Sequence, residues 1–337
     1  MSVRLALAAL FLLSGAAGLI HETAWSRLYG VLFGHTVHTS SAVVAAYMAG
    51  LAVGALVAGR FADRLRRPIR VYALLEVAVA VLAITSPVQV AAVERLLPTL
   101  LGPGWSLTIA GAMARWLVAF LLLLVPAALL GATLPLLVRA SRMRGAPLER
   151  AVGVLYGVNT LGAVAGVAAA GFWLIREVGV TATLSVGAAF GLVAAVGALL
   201  LDLAVGGVDP EPAQLTEGPP VRWSLLAVVL AAGFVSLALE IVWMRTFVLV
   251  LGSSILSFTT VLATLLAAIG VGSLAAPWVA RPDRPGSLGA VLLALAIAAA
   301  ATVLLLPAVD DVLRSSPGLA QSLAVRVLLV ALAIFPA

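Results

Sequence analysis

Glu22 lies within LIHETAWSRLYG, residues 19–30, in the middle of a stretch that is otherwise apolar from residue 5 to residue 34. A charge at bilayer depth costs about 2.5 to 3.5 kcal/mol on insertion scales, so an acid there needs a partner, a bundle interior or a wet cavity. Trp25, three residues on, shares a helical face with Glu22, whereas Arg27, five residues on, faces elsewhere, near the interface. Carboxylate beside indole suits a cation. The same residue types also suit an arginine-paired structural lock, and composition does not choose between the two. The trio recurs: Glu240, Trp243 and Arg245 repeat it 218 positions later. Glu76, inside LLEVAVAVL, is a further acid in an apolar helix, expected to face the bundle interior and to bind a cation or pair with an arginine such as Arg115. After the second apolar run comes GRFADRLRRP, with Gly59, Asp63, Arg64, Arg66 and Arg67. Its aspartate and arginines, near helix ends, form a candidate charge lock that one conformational state keeps and another breaks, or else a plain basic loop.

Other chemistry is thin. His35 and His38 are spaced i,i+3 and His21 lies earlier, but no third ligand of matching geometry accompanies them, so no metal site is expected and capping, interfacial or proton-relay roles remain. Asn159, Gly162 and Gly166 in NTLGAVAG have the small-xxx-small spacing of a close helix contact. No nucleophile triad or phosphate-binding glycine loop is present, so no catalytic residue and no cofactor is assigned.

The elements that must position these residues follow from composition. Of 337 residues, 63% are hydrophobic and 10% charged, the mean hydropathy is +1.19, and the net charge of +6 comes from arginine without lysine. Apolar runs of about 20 residues without strand-like alternation imply an all-α polytopic membrane protein whose main partner is the lipid bilayer. The basic residues fall in short loops, as topology signals do, and imply no nucleic-acid partner. The absence of cysteine excludes disulfides and thiolate sites. Ten transmembrane helices are expected, near 4–33, 36–59, 71–95, 108–138, 151–174, 179–202, 222–250, 254–280, 287–308 and 320–337. The loops 60–70 and 139–150 hold five and four arginines and should be cytoplasmic, together with the N-terminus. Residues 203–221, rich in proline, glycine and acids, read as a cytoplasmic linker between a first bundle, 1–202, and the start of a second, 222–337.

The two halves are related. With the 218-residue shift, 15–62 match 233–280 at 14 of 48 positions, and the rare residues Glu, Trp and Arg coincide, which marks an internal repeat. Six helices separate the copies, an even number, so the repeats are parallel, as in major facilitator transporters. The repeat also argues that the first segment is a retained helix and not a cleaved signal. The last residues, RVLLVALAIFPA, resemble ARWLVAFLLLLVPA of the first half, which continues for two more helices, so a truncated second repeat is expected.

GRFADRLRRP resembles the loop signature of the major facilitator superfamily. Together with LLSGAAGLIHETAWSRLYGVLFG, MAGLAVGALVAGRFADRLRRP, LLGATLPLLVRA and LYGVNTLGAVAG, it resembles the bacterial fused major facilitator/spermidine synthase family. The resemblance implies a major-facilitator-like bundle followed, beyond this chain, by a cytosolic aminopropyltransferase domain. It also implies a role linked to polyamines: either the movement or binding of polyamines or related organic cations at the inner membrane, with Glu22, Glu240 and Glu76 as ammonium ligands and Trp25 and Trp243 as cation–π faces, or a non-transporting anchor for the synthase domain.

Overall fold

In the computed structural model, the described residues are 3–33, 39–102, 104, 108–143, 145–206, 223–279, 287–315 and 322–335, and among them there is no strand. Two compact units, Met1–Glu211 and Pro212–Ala337, divide the chain. In unit 1 the helices are α1 (Val3–Leu28), the short α2 (Gly30–Phe33), α3 (Thr39–Phe61), α4 (Pro68–Leu101), α5 (Ile109–Arg142), α6 (Leu148–Ala169) and α7 (Ile175–Val205); unit 2 has α8 (Trp223–Leu251), α9 (Ser254–Val279), α10 (Ser287–Ser315) and α11 (Leu323–Ile334).

Among the described residues, seven helical stretches have the length and composition to cross a membrane, and two shorter apolar ones, Gly289–Leu304 and Leu323–Ile334, accompany them. The longest of the seven, Arg150–Val205, is interrupted at Gly179, whose φ of 80° and ψ of 172° leave the helical region. Glycine tolerates that conformation, and the chain turns there, so both α6 and α7 pack against α1. A π-helical turn, Ala170–Leu174, precedes the break. The surface is that of a membrane protein. Leu56, Val88, Ile109 and Leu249 are each more than 70% exposed, while Glu22, Glu76 and Glu240 are buried, the inverse of a water-soluble domain. The chain is therefore a helical, membrane-spanning protein.

Several boundaries differ from those expected. The first helix stops at Leu28 and resumes as α2, and α4 begins at Pro68, because proline at the first helical position gives up no intrahelical hydrogen bond. Pro126 and Pro135 lie inside α5.

In unit 1, α1 packs against α6 and α7, α4 against α7 and α5, and α3 against α5. Backbone proximity explains the glycines at two of these seams. A Cβ on Gly162 would collide with the carbonyl of Leu12, and one on Gly54 with that of Ala128. Without a hydrophobic force between helices in lipid, such close approach supplies the packing. The core falls into two apolar clusters, one around Trp25, Tyr29, Tyr47, Leu123 and Leu184, the other around Leu7, Phe11, Tyr72, Leu137 and Ala198. Between them in sequence lie Ser14, His21 and Glu22 on α1, Glu76 on α4 and Thr133 on α5, all buried polar residues. A polar layer thus interrupts the apolar core.

In unit 2, Ser257 donates to the carbonyl of Met244 and joins α9 to α8, the turn between them being made by Gly252 at φ 69°. Thr302 donates to the carbonyl of Ala333 at 2.9 Å, and Arg326 to that of Val250 at 3.2 Å, so α11 is tied to α10 and α8.

Candidate functional site

The repeated trio has one pattern of burial in both units. Glu22 is 2% exposed and Trp25 is fully buried; Glu240 is 7% and Trp243 3% exposed; Arg27 and Arg245 are exposed. Helical spacing accounts for it, since a three-residue step keeps glutamate and tryptophan on the inner face and two further residues turn the arginine outward.

The surroundings of Trp25 are polar as well as apolar. Its Nε1–H donates to Ser86 Oγ at 3.1 Å, and Ser86 in turn donates to the carbonyl of Ala83 at 2.7 Å. The His21 ring stacks on the indole with centroids 5.2 Å apart and planes at 28°. His21 is fully buried, and neither ring nitrogen completes a hydrogen bond; the backbone of Leu184 is nearby without the geometry of a made bond. His35 and His38 lie outside the described residues.

Glu76 is 1% exposed, and its Oε1 accepts from Ser14 Oγ at 2.5 Å. The Tyr72 hydroxyl, one turn earlier on α4, lies between this carboxylate and the carbonyl of Leu10, 3.3 Å away, and its single hydrogen can serve one or the other. Hydroxyls therefore hold Glu76, and among the described residues no ion pair joins it to Arg115. The pairings Leu10 with Tyr72, Ser14 with Glu76 and Trp25 with Ser86 have nearly constant sequence offsets, so α1 and α4 run parallel in register. On α1 the positions Ser14, Gly18 and Glu22 form one row of four-residue steps, about 12 Å long. Tyr47 of α3 donates to the carbonyl of Gly18 at 3.3 Å, and both Glu22 and Glu76 act electrostatically on its hydroxyl.

The arginine-rich loop gathers at one end of unit 1. The carboxylate of Asp63, in the 3-10 turn Ala62–Arg64, lies 3.7 Å from Arg139 Nε, and Arg139 also donates to the Asp63 carbonyl at 3.3 Å. Arg67 and Arg70 both pair with the buried Asp202 of α7, at 3.4 and 3.0 Å. Arg64 stands 5.7 Å over the ring of Phe61. Arg66 and Arg67 line a shallow crevice with Met143 and Asp202. Gly59 serves no close approach, since a Cβ there would meet nothing within 4 Å. The Arg4 guanidinium reaches the same end, 3.5 Å from where a Cβ of Gly145 would lie. The start of α1, the loops 60–70 and 139–150 and the end of α7 thus share one end of the unit.

Arg70, Arg139 and Asp202 were not singled out from sequence, nor were Ser14, Tyr47, Tyr72 and Ser86. Asp202, an acid closing an apolar helix, carried a usable signal; the hydroxyls did not, because isolated serines and tyrosines are common in membrane helices. No protein-family model, curated protein or solved structure matches this chain.

Proposed function

We propose that this chain is the membrane part of a carrier for polyamines or related organic cations, built as a major-facilitator-like six-helix repeat followed by a second, parallel repeat, ten transmembrane helices in all. It resides in the inner membrane with the N-terminus and the arginine-rich loops in the cytoplasm, and it resembles the fused major facilitator/spermidine synthase family. The observation that carries this reading is the burial of Glu22 and Glu240 at matched places in two apolar helices, each with a buried tryptophan one turn on. A buried acid with a tryptophan one turn on, in each unit taken by itself, suits an ammonium group. The Asp63 and Asp202 ion pairs, at helix ends, supply the contacts that a change of conformational state would break and remake.

A second reading, a non-transporting anchor for an aminopropyltransferase domain, is favoured by the engagement of Trp25. With its N–H on Ser86 and a ring face against His21, this indole is part of the packing.

Glu22→Gln and Glu240→Gln separate the two. Reconstituted into proteoliposomes, a cation ligand loses spermidine or putrescine uptake by tenfold or more while thermal stability stays near that of the parent protein. Unchanged uptake with a marked loss of stability leaves the anchor as the reading.

A further inference from the structure

Unit 1 holds polar groups that the repeat does not account for. With the 218-residue shift, Glu76 falls on Ala294 and His21 on Leu239, so this acid and this imidazole belong to the first unit alone. Their surroundings are also unlike those of a site for a polyatomic cation. Glu76 Oε1 is taken by Ser14, Tyr72 lies against the same carboxylate, and Oε2 faces the bare backbone of Gly191, where a Cβ would be 3.4 Å away. Both carboxylate oxygens are thus close to protein groups, an arrangement that suits a proton.

The partners of Glu76 are suited to both of its charge states. An arginine can only donate, so it favours the ionised carboxylate over the protonated acid; a hydroxyl donates or accepts. With Glu76 ionised, Ser14 and Tyr72 donate to it. With Glu76 protonated, its O–H donates to a hydroxyl oxygen, and Tyr72 turns its own hydrogen to the carbonyl of Leu10, 3.3 Å away. Either state is satisfied by rotating hydroxyls, without moving a helix.

The titratable groups near Glu76 come from three helices. On its own helix is Tyr72; α1 brings Glu22 and His21 beyond Ser14; α3 brings Tyr47, under the influence of both carboxylates. From α7 Gly191 lies against it, and the buried polar residue of α5 in this layer is Thr133, whose hydroxyl donates to its own helix at Leu130. No arginine figures among the groups acting on Glu76. His21, fully buried with both ring nitrogens unpartnered, stands about 10 Å along α1 from Ser14.

We infer that Glu76, held by Ser14 and Tyr72, is an intramembrane proton-binding site. On protonation an O–H bond forms at Glu76 as one breaks in a hydronium ion of the solvent, and the carboxylate becomes neutral; deprotonation reverses both. The proton site stands without the polyamine reading, whereas its coupling to transport rests on it.

Infrared difference spectra of the full chain in lipid vesicles, recorded as pH is lowered, test the site. The expected result is a growing C=O stretch of a protonated carboxyl that shifts in D2O and is lost in Glu76→Gln. Ser14→Ala keeps the acid but removes one hydroxyl, so the band should move in frequency; this variant serves if Glu76→Gln fails to fold. Glu22→Gln and Glu240→Gln should retain the band. A Glu76→Gln spectrum equal to that of the parent protein, or a Ser14→Ala band at the parent frequency, overturns the proposal. Spermidine uptake that ignores an imposed pH gradient, with the band behaving as expected, removes the coupling and leaves the proton site in place.

Discussion

Two buried acids of unit 1, Glu76 and Asp202, are stabilised by different chemistry. Glu76 sits among hydroxyls in the middle of its helix, whereas Asp202, 1% exposed, closes α7 against Arg67 and Arg70. The arginines are each about two-fifths exposed, so water reaches their far sides and screens part of the attraction. Asp202→Asn keeps shape and hydrogen bonding but removes the charge. It should lower stability by about 1 kcal/mol, and Arg67→Gln by less, because Arg70 remains. Thermal unfolding of the detergent-solubilised protein measures both. A larger loss for Arg67→Gln than for Asp202→Asn would show that the arginine's packing matters more than the pair.

At the scale of elements, helix contacts in unit 1 depend on where backbones can touch. Gly162 of α6 meets the carbonyl of Leu12 on α1, and Gly15 of α1 meets that of Asn159 on α6, so the seam is closed from both sides. Gly162→Ala must push the helices apart at two interlocked places and should destabilise by about 3 kcal/mol, the upper part of the range for overpacking. Gly59→Ala, the same chemical change near the end of α3, has open space around it and should be neutral or stabilising by up to about 1 kcal/mol through helix propensity. Unfolding midpoints of the two variants should therefore move in opposite directions or differ by most of the larger effect. Equal shifts would mean that the close approach contributes nothing.

At the scale of the whole molecule, arginines gather at one end of unit 1. Because Arg4, Arg67, Arg139 and Asp202 share one end of unit 1, α1 and α4 start there and α5 and α7 finish there. Single cysteines placed at Arg66, Arg142 and Gly206 of this cysteine-free chain should behave alike toward a membrane-impermeant thiol reagent, and one at Gly102, at the opposite end of α4, should behave in the opposite way. With the basic end in the cytoplasm, only Gly102→Cys reacts in intact spheroplasts. Labelling of Arg66→Cys alone from outside would overturn the orientation.

Membrane residence, helical class and the burial of Glu22 and Glu240 could be read directly from the residues. The reason is energetic: lipid forces every backbone group into a helix and makes an unpartnered charge expensive, so long apolar runs and the few acids inside them have restricted solutions. Repetition of the trio reinforced this, since helical spacing alone turns glutamate and tryptophan one way and arginine the other. What held each acid was a matter for the tertiary structure. Ser14 meets Glu76, Ser86 meets Trp25 and Arg70 meets Asp202 across 61 to 132 residues of chain. Such pairings depend on which helices are neighbours and in what register. Register is set by glycine seams where one backbone fits against another, and that fit is a property of two surfaces together, absent from either stretch of sequence alone.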